Sequence, residues 1–270
     1  MKIVSFTTVK DKVGRTTLTY NFGEWLAKRG HKVLLIDADP YCSLSQTYNI
    51  YQNARTLTDI FEISRENQDR NPKDLILHEH KNLDLLPSSK KLSQINIDLQ
   101  TQYNKELIMK IWIRNNYEVL KKYDYILIDC SPDFSIVTIN MIVASDVVFS
   151  PLKPNEYSND VKSLVISKFN HLQKTLVDPL DQQHSYVTAK LFFIGNRVGQ
   201  DRQASEDFLK QMETAPDILT YFPEKQLLNK STLFHQPLSS LMNKKTIYRQ
   251  NEAFFKQFEQ AFLLMLRIIK

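Results

Sequence analysis

Only 5 glycines and 2 cysteines occur among the 270 residues. Cys42 and Cys130 are too few for a disulfide framework and lack the spacing of a metal site, so a reducing cytoplasm is the expected setting. Nowhere does an uncharged apolar stretch reach the roughly 18 residues that a membrane span needs. The amino-terminal residues have the pattern of a strand, not of a basic segment running into an apolar one, and no signal peptide is expected. Internal repeats and low-complexity tracts are absent as well.

What is present suits a globular protein: 42% of residues are hydrophobic and 24% charged. This length can bury a full core, and one domain over residues 1–270 fits it better than two small ones. Strand-like apolar runs lie at 2–8, 32–36, 82–86, 125–128, 147–150 and 190–194. Several are continuous rather than alternating, as expected of parallel strands covered on both faces. Helical spacing appears at 16–29, 105–122, 136–144, 160–175, 203–212 and 251–269. The alternation predicts an α/β fold: a doubly wound, mostly parallel sheet with helices on both faces. Residues 65–81 read as a polar surface excursion and 178–185 as a loop.

Residues 9–17, VKDKVGRTT, join the first strand pattern to the first helix pattern, which Gly30 is placed to stop. Strand, tight loop and helix together aim the loop's N–H groups and the helix N-terminus at a phosphate. The usual Gly-Lys-Ser/Thr ending reads Gly14-Arg15-Thr16 here. The second strand runs into Asp37-Ala38-Asp39-Pro40, two carboxylates at the edge where parallel sheets bind ligands. The run at 125–128 is followed by Asp129, the pattern of an acid that holds Mg²⁺ directly or through water. Gly195-Asn196 follows the run at 190–194, and an amide there could pair with a purine edge. Each piece alone has a plainer reading: Asp-x-Asp and Gly-Asn are common turns, and Cys130 suits a small core position. The order of the pieces carries the signal.

In that order the chain resembles the ParA/MinD family of deviant Walker-A ATPases over nearly its whole length, and most of all short ParA proteins that partition plasmids and mobile elements. The family loop Lys-Gly-Gly-x-Gly-Lys-Thr-Thr falls on Lys10-Asp11-Lys12-Val13-Gly14-Arg15-Thr16-Thr17. The resemblance implies ATP and Mg²⁺ as cofactors, with that loop around the phosphates. It implies that Lys10 reaches across a homodimer to the partner's nucleotide and that Asp39 positions the attacking water, with Arg15 in the place of the catalytic lysine. It puts Thr16, Asp37 and Asp129 at the metal and Asn196 at the adenine. It further implies a cytoplasmic, nucleoid-associated protein that binds DNA without sequence preference and answers to a ParB-like centromere-binding protein.

Three loop positions depart from the family: Asp11 and Lys12 replace glycines, and Arg15 replaces the lysine. In a chain so poor in glycine, lost loop glycines are easily read as drift. Lys10, Lys12 and Arg15 against Asp11 keep the loop cationic. A guanidinium is a planar fork rather than a compact ammonium, so charge placement changes more than charge. Nucleotide binding is therefore expected to survive and rapid hydrolysis to be weakened. A non-hydrolysing scaffold or regulator is the alternative.

From Tyr221 onward eight bases face three acids, an excess equal to the whole chain's net charge of +5. Such a region, 221–270, can neutralise DNA phosphates or be a solvated surface. Phe254, Phe258, Phe262, Met265 and Ile269 share one helical face, with Phe255, Leu263, Leu266 and Ile268 widening it. Its polar positions are of mixed sign, so packing on the sheet is favoured over a MinD-like helix lying on a membrane.

Overall fold

The structure, a computed structural model, describes residues 1–62, 71–102, 104–154, 158–181 and 183–270. Its strands are β1 (Lys2–Phe6), β2 (Val33–Ala38), β3 (Leu77–His80), β4 (Leu83–Leu86), β5 (Tyr125–Cys130), β6 (Val147–Leu152), β7 (Lys190–Val198) and β8 (Ile218–Pro223). They form one sheet in the order β3-β4-β2-β5-β1-β6-β7-β8. Every neighbouring pair is parallel except β3 with β4. The helices are α1 (Arg15–Lys28), α2 (Ser43–Thr47), α3 (Thr58–Phe61), α4 (Leu92–Asp98), α5 (Ile108–Asn115), α6 (Tyr117–Leu120), α7 (Ile136–Ala144), α8 (Ser158–Thr175), α9 (Arg202–Thr214), α10 (Gln226–Leu233), α11 (Leu238–Leu241), α12 (Lys245–Gln250) and α13 (Glu252–Ile269).

The doubly wound sheet follows from the apolar runs. VLLI in β2 and YILI in β5 are buried throughout, and successive residues supply opposite layers. Val33 and Leu35 enter the layer of α1, α10, α11 and α13, whereas Leu34 and Ile36 enter that of α3, α4, α5 and α7. Two smaller clusters under α8 and α9 complete the second face. At the end of α1, Gly30 takes φ +91° and its N–H bonds to Ala27 O at 3.0 Å, the helix stop that the sequence announced.

The strands at the site run further than the apolar residues indicate. β2 continues through Asp37, β5 through Asp129, and β7 through Gly195 and Asn196, so these polar groups end strands rather than start loops. The helix expected over 105–122 is two helices, α5 and α6. It breaks at Asn116, whose side-chain amide donates to Trp112 O at 2.9 Å and competes with the backbone ladder. Residues 77–80 of the expected surface excursion form β3, an antiparallel edge strand, while 65–70 lie outside the described residues. His80 Nε2 lies 3.0 Å from Glu24 Oε1 and ties that edge to α1.

α13 packs its aromatic face on β8 and α1. Phe262 is at the centre, with ring centroids 4.5 Å from Phe258, 4.9 Å from Phe22, 5.2 Å from Phe222 and 5.6 Å from Trp25. Core packing thus occupies the face that a membrane-lying helix would need. Among the described residues no helix is long and apolar enough to cross a membrane.

Candidate nucleotide-binding site

The loop between β1 and α1 is shaped by two left-handed residues. Gly14, at φ +92°, precedes α1 with no side-chain cap, which leaves the first-turn N–H groups open to an anion. Lys12 takes φ +59° at a position where the family resemblance puts glycine. The Asp11 carboxylate accepts from Lys12 N at 2.8 Å, a local turn that lets two non-glycine residues trace this path.

Beneath the loop, Asn196 Nδ2 donates to Val13 O at 2.7 Å, and Asn196 Oδ1 is buried with no hydrogen-bond partner among the described residues. Through that bond the Asn196 side chain acts as a strut for the loop. A Cβ on Gly14 would come within 2.2 Å of Asn196 Nδ2, and the backbone there is left-handed as well. Gly14→Ala is therefore expected to cost about 1–3 kcal/mol and to break the Asn196–Val13 bond. Lower melting temperature together with at least tenfold weaker binding of ATP would show it; unchanged binding would mean that the loop keeps its path without the strut.

Parallel pairing of β2 with β5 sets Asp37 beside Asp129 in register. Asp37 is fully buried, and both its oxygens are engaged: Oδ2 accepts from Ser45 N at 2.8 Å and Ser45 Oγ at 2.7 Å, and Oδ1 accepts from Asp39 N at 3.1 Å. Burial pushes its carboxyl up to about 6 against those hydrogen bonds. Asp129 Oδ2 accepts from Thr16 Oγ1 at 2.6 Å, while Oδ1 has no hydrogen-bond partner among the described residues. Burial pushes Asp129 up to about 8, with the charge of Arg15 acting in the opposite sense. Asp39 is also buried and raised for the same reason; its Oδ1 accepts from Tyr41 N at 2.9 Å.

Arg15 does not extend along the loop. Its side chain is 6% exposed, its Nη1 donates to the Cys130 carbonyl, and its Nη2 lies 3.9 Å from Asp39 Oδ2 and 3.7 Å from Asp11 Oδ1. The cleft above measures about 650 Å³ and is lined by Asp11, Lys12, Gly14, Arg15, Thr16, Thr17 and Asp39, joined by Tyr41, Arg197 and Thr232. Val13 is buried below it and Lys10 is half-exposed. Cys130 is fully buried, and burial pushes the half-buried Cys42 thiol up to about 11, so neither is a ready nucleophile.

Sequence reasoning missed Ser45, Ser88 and Arg197. Ser45 Oγ accepts from Ser88 N at 3.0 Å while donating to Asp37, and Ser88 Oγ donates to Asp39 O at 2.7 Å, so the two serines lock the acidic strand end from both sides. Arg197 comes to the cleft through an irregularity between Asn196 and Val198 in the pairing of β7 with β8, which no local pattern encodes.

A phosphate-cradling loop between a parallel strand and an uncapped helix, with acids at the ends of the adjacent β5 and of β2 beyond it, defines a P-loop nucleotide-binding protein. A family model described as an AAA domain matches residues 1–182. The sporulation initiation inhibitor protein Soj of Bacillus subtilis is 32% identical over 176 residues, which is 65% of this chain and 67% of Soj. An uncharacterised protein of Mycobacterium tuberculosis is 32% identical over 190 residues, 69% of this chain, and the chain spans only 58% of that relative's length. A putative plasmid partition protein of Borrelia burgdorferi, solved bound to AMPPNP, superposes with a TM-score of 0.77 over 99% of both chains; at 21% identity that is a likeness of fold. The chain belongs to this AAA-domain family and, within it, to the ParA/MinD-type P-loop ATPases.

Proposed function

We propose that the chain is a ParA-type partition switch: it binds ATP, closes a homodimer through Lys10, and in that state holds DNA without sequence preference. The observation that supports it most is the pairing of an uncapped loop and helix with Asp129, a buried acid whose Oδ1 lacks a hydrogen-bond partner among the described residues. That oxygen and Thr16 Oγ1, the group bonded to its Oδ2, are the hard donors Mg²⁺ prefers. Thr16 and Asp129 would hold the ion, and Asp37, with both oxygens engaged, would stand behind them. When bound, Mg²⁺ would neutralise charge on the β- and γ-phosphates. Thr17, Gly14 and the first turn of α1 would cradle the phosphates, and Asp39 would orient the attacking water.

The DNA face would be the basic carboxy-terminal region. Lys230, Lys244, Lys245, Arg249, Lys256, Arg267 and Lys270 are all exposed, and α12 has no buried residue. A ParB-like, centromere-bound partner would trigger hydrolysis and release, and the protein would work on the nucleoid in the cytoplasm. The inward position of Arg15 favours slow hydrolysis and keeps a second reading open, a nucleotide-holding scaffold that does not turn over.

Calorimetry of Mg·ATP with the nucleotide-free chain tests the core of this reading. Micromolar binding supports it, and no heat at millimolar ATP overturns it. DNA affinity with ATP should fall steeply as salt rises; a flat salt dependence would remove the phosphate-contact part.

A further inference from the structure

Three carboxylates and one cation share the floor of the site. Asp37, Asp39 and Asp129 are buried, and among the described residues Arg15 is the only buried basic side chain. Its guanidinium touches three walls at once: the Cys130 carbonyl at the end of β5, Asp39 after β2, and Asp11 in the loop. A fork with five donors can make those contacts together, whereas a single ammonium cannot span them. The charge sits where a divalent ion would otherwise find its attraction, near Asp129, whose buried Oδ1 has no hydrogen-bond partner among the described residues. Two cations cannot share this floor without severe repulsion at such distances.

Phosphate offers the guanidinium an alternative. The β- and γ-phosphates would arrive at the loop in the cleft that Arg15 helps to line, and paired phosphate oxygens match the fork as well as a carboxylate does. We propose that Arg15 is a built-in counter-cation that keeps divalent metal out of the acid floor of the nucleotide-free site, so that metal enters only with a phosphate chain that draws the guanidinium away. This rests on the nucleotide-binding reading above and adds an order to it: metal alone is refused.

The test is Mn²⁺ binding, followed by electron paramagnetic resonance on the full chain without nucleotide. Wild type is expected to take up no Mn²⁺ below the millimolar range. Arg15→Gln, which removes the charge and keeps a polar side chain, is expected to bind Mn²⁺ at least tenfold more tightly, and Asp129→Asn in that background should abolish the gain. A folded Arg15→Gln chain, shown by circular dichroism, with no gain in Mn²⁺ affinity overturns the proposal. Micromolar Mn²⁺ binding by nucleotide-free wild type overturns it too, and that measurement needs no variant. ATP affinity is read separately by calorimetry, so a chain that binds no ATP sinks the function proposed above while the metal comparison keeps its own outcome.

Discussion

Phe262→Ala is expected to destabilise the protein by about 3–5 kcal/mol, the usual cost of emptying a fully buried aromatic site. The side chain is completely buried and packs against rings from α1, β8 and its own helix. Removing it leaves a cavity that Phe22, Trp25, Phe222 and Phe258 cannot all close around, because each is fixed by further ring contacts. For a chain of this size, that corresponds to a fall in melting temperature on the order of 10 °C. Leu263→Ala, one residue on and exposed, is the control and should stay within about 0.5 kcal/mol. The same pair separates two views of α13. A helix that left the body to lie on a membrane would give a Phe262→Ala chain of normal stability and weaker vesicle binding. A packed helix gives the reverse.

The triple variant Asp11→Gly, Lys12→Gly, Arg15→Lys is expected to raise ATP turnover at least tenfold, equivalent to about 1.4 kcal/mol in the barrier. Lys12 occupies a left-handed backbone position, which glycine adopts without strain. Arg15 is held by the Cys130 carbonyl and faces Asp39, the acid proposed to orient water. An ammonium on a shorter stem would release Asp39 and present a compact charge to the phosphates. Phosphate release by the purified chains measures the effect, and Asp39→Ala in the triple background should remove it. No gain in the triple variant would refute the view that the loop limits hydrolysis. If wild type and Asp39→Ala are also kinetically indistinguishable, the scaffold reading holds.

Much of this architecture can be read from residue patterns. Parallel strands declare themselves because continuous apolar runs have no other economical place, and β2, β5 and β6 are of that kind. β8 and β3 escape because their side chains alternate, between buried and partly buried in β8 and between partly buried and exposed in β3, and short alternating segments resemble loops. The acids at the site were visible as punctuation after apolar runs. Their environment was not. Asp37 and Asp129 face each other only because β2 pairs with β5; Ser45 reaches Asp37 through the turn into α2, and Ser88 meets Asp39 from a segment 49 positions along the chain. The direction of Arg15 is the clearest case. Its residue type was plain from the loop pattern, but its orientation depends on a carbonyl that lies 115 positions along the chain.

The packing of α13 against α1 also bears on how the protein is made. α1 carries the phosphate loop and is synthesised early, yet its apolar side is covered by a helix that emerges from the ribosome long afterwards. Until then Phe22 and Trp25 lack the Phe262 ring that packs on both. Vectorial synthesis can pair β1, β2 and β5 first, but closure of this layer must wait for the carboxy-terminal segment. A nascent chain stalled before residue 252 should therefore present a sticky, unsealed surface to chaperones, and release from them should coincide with the arrival of the last helix.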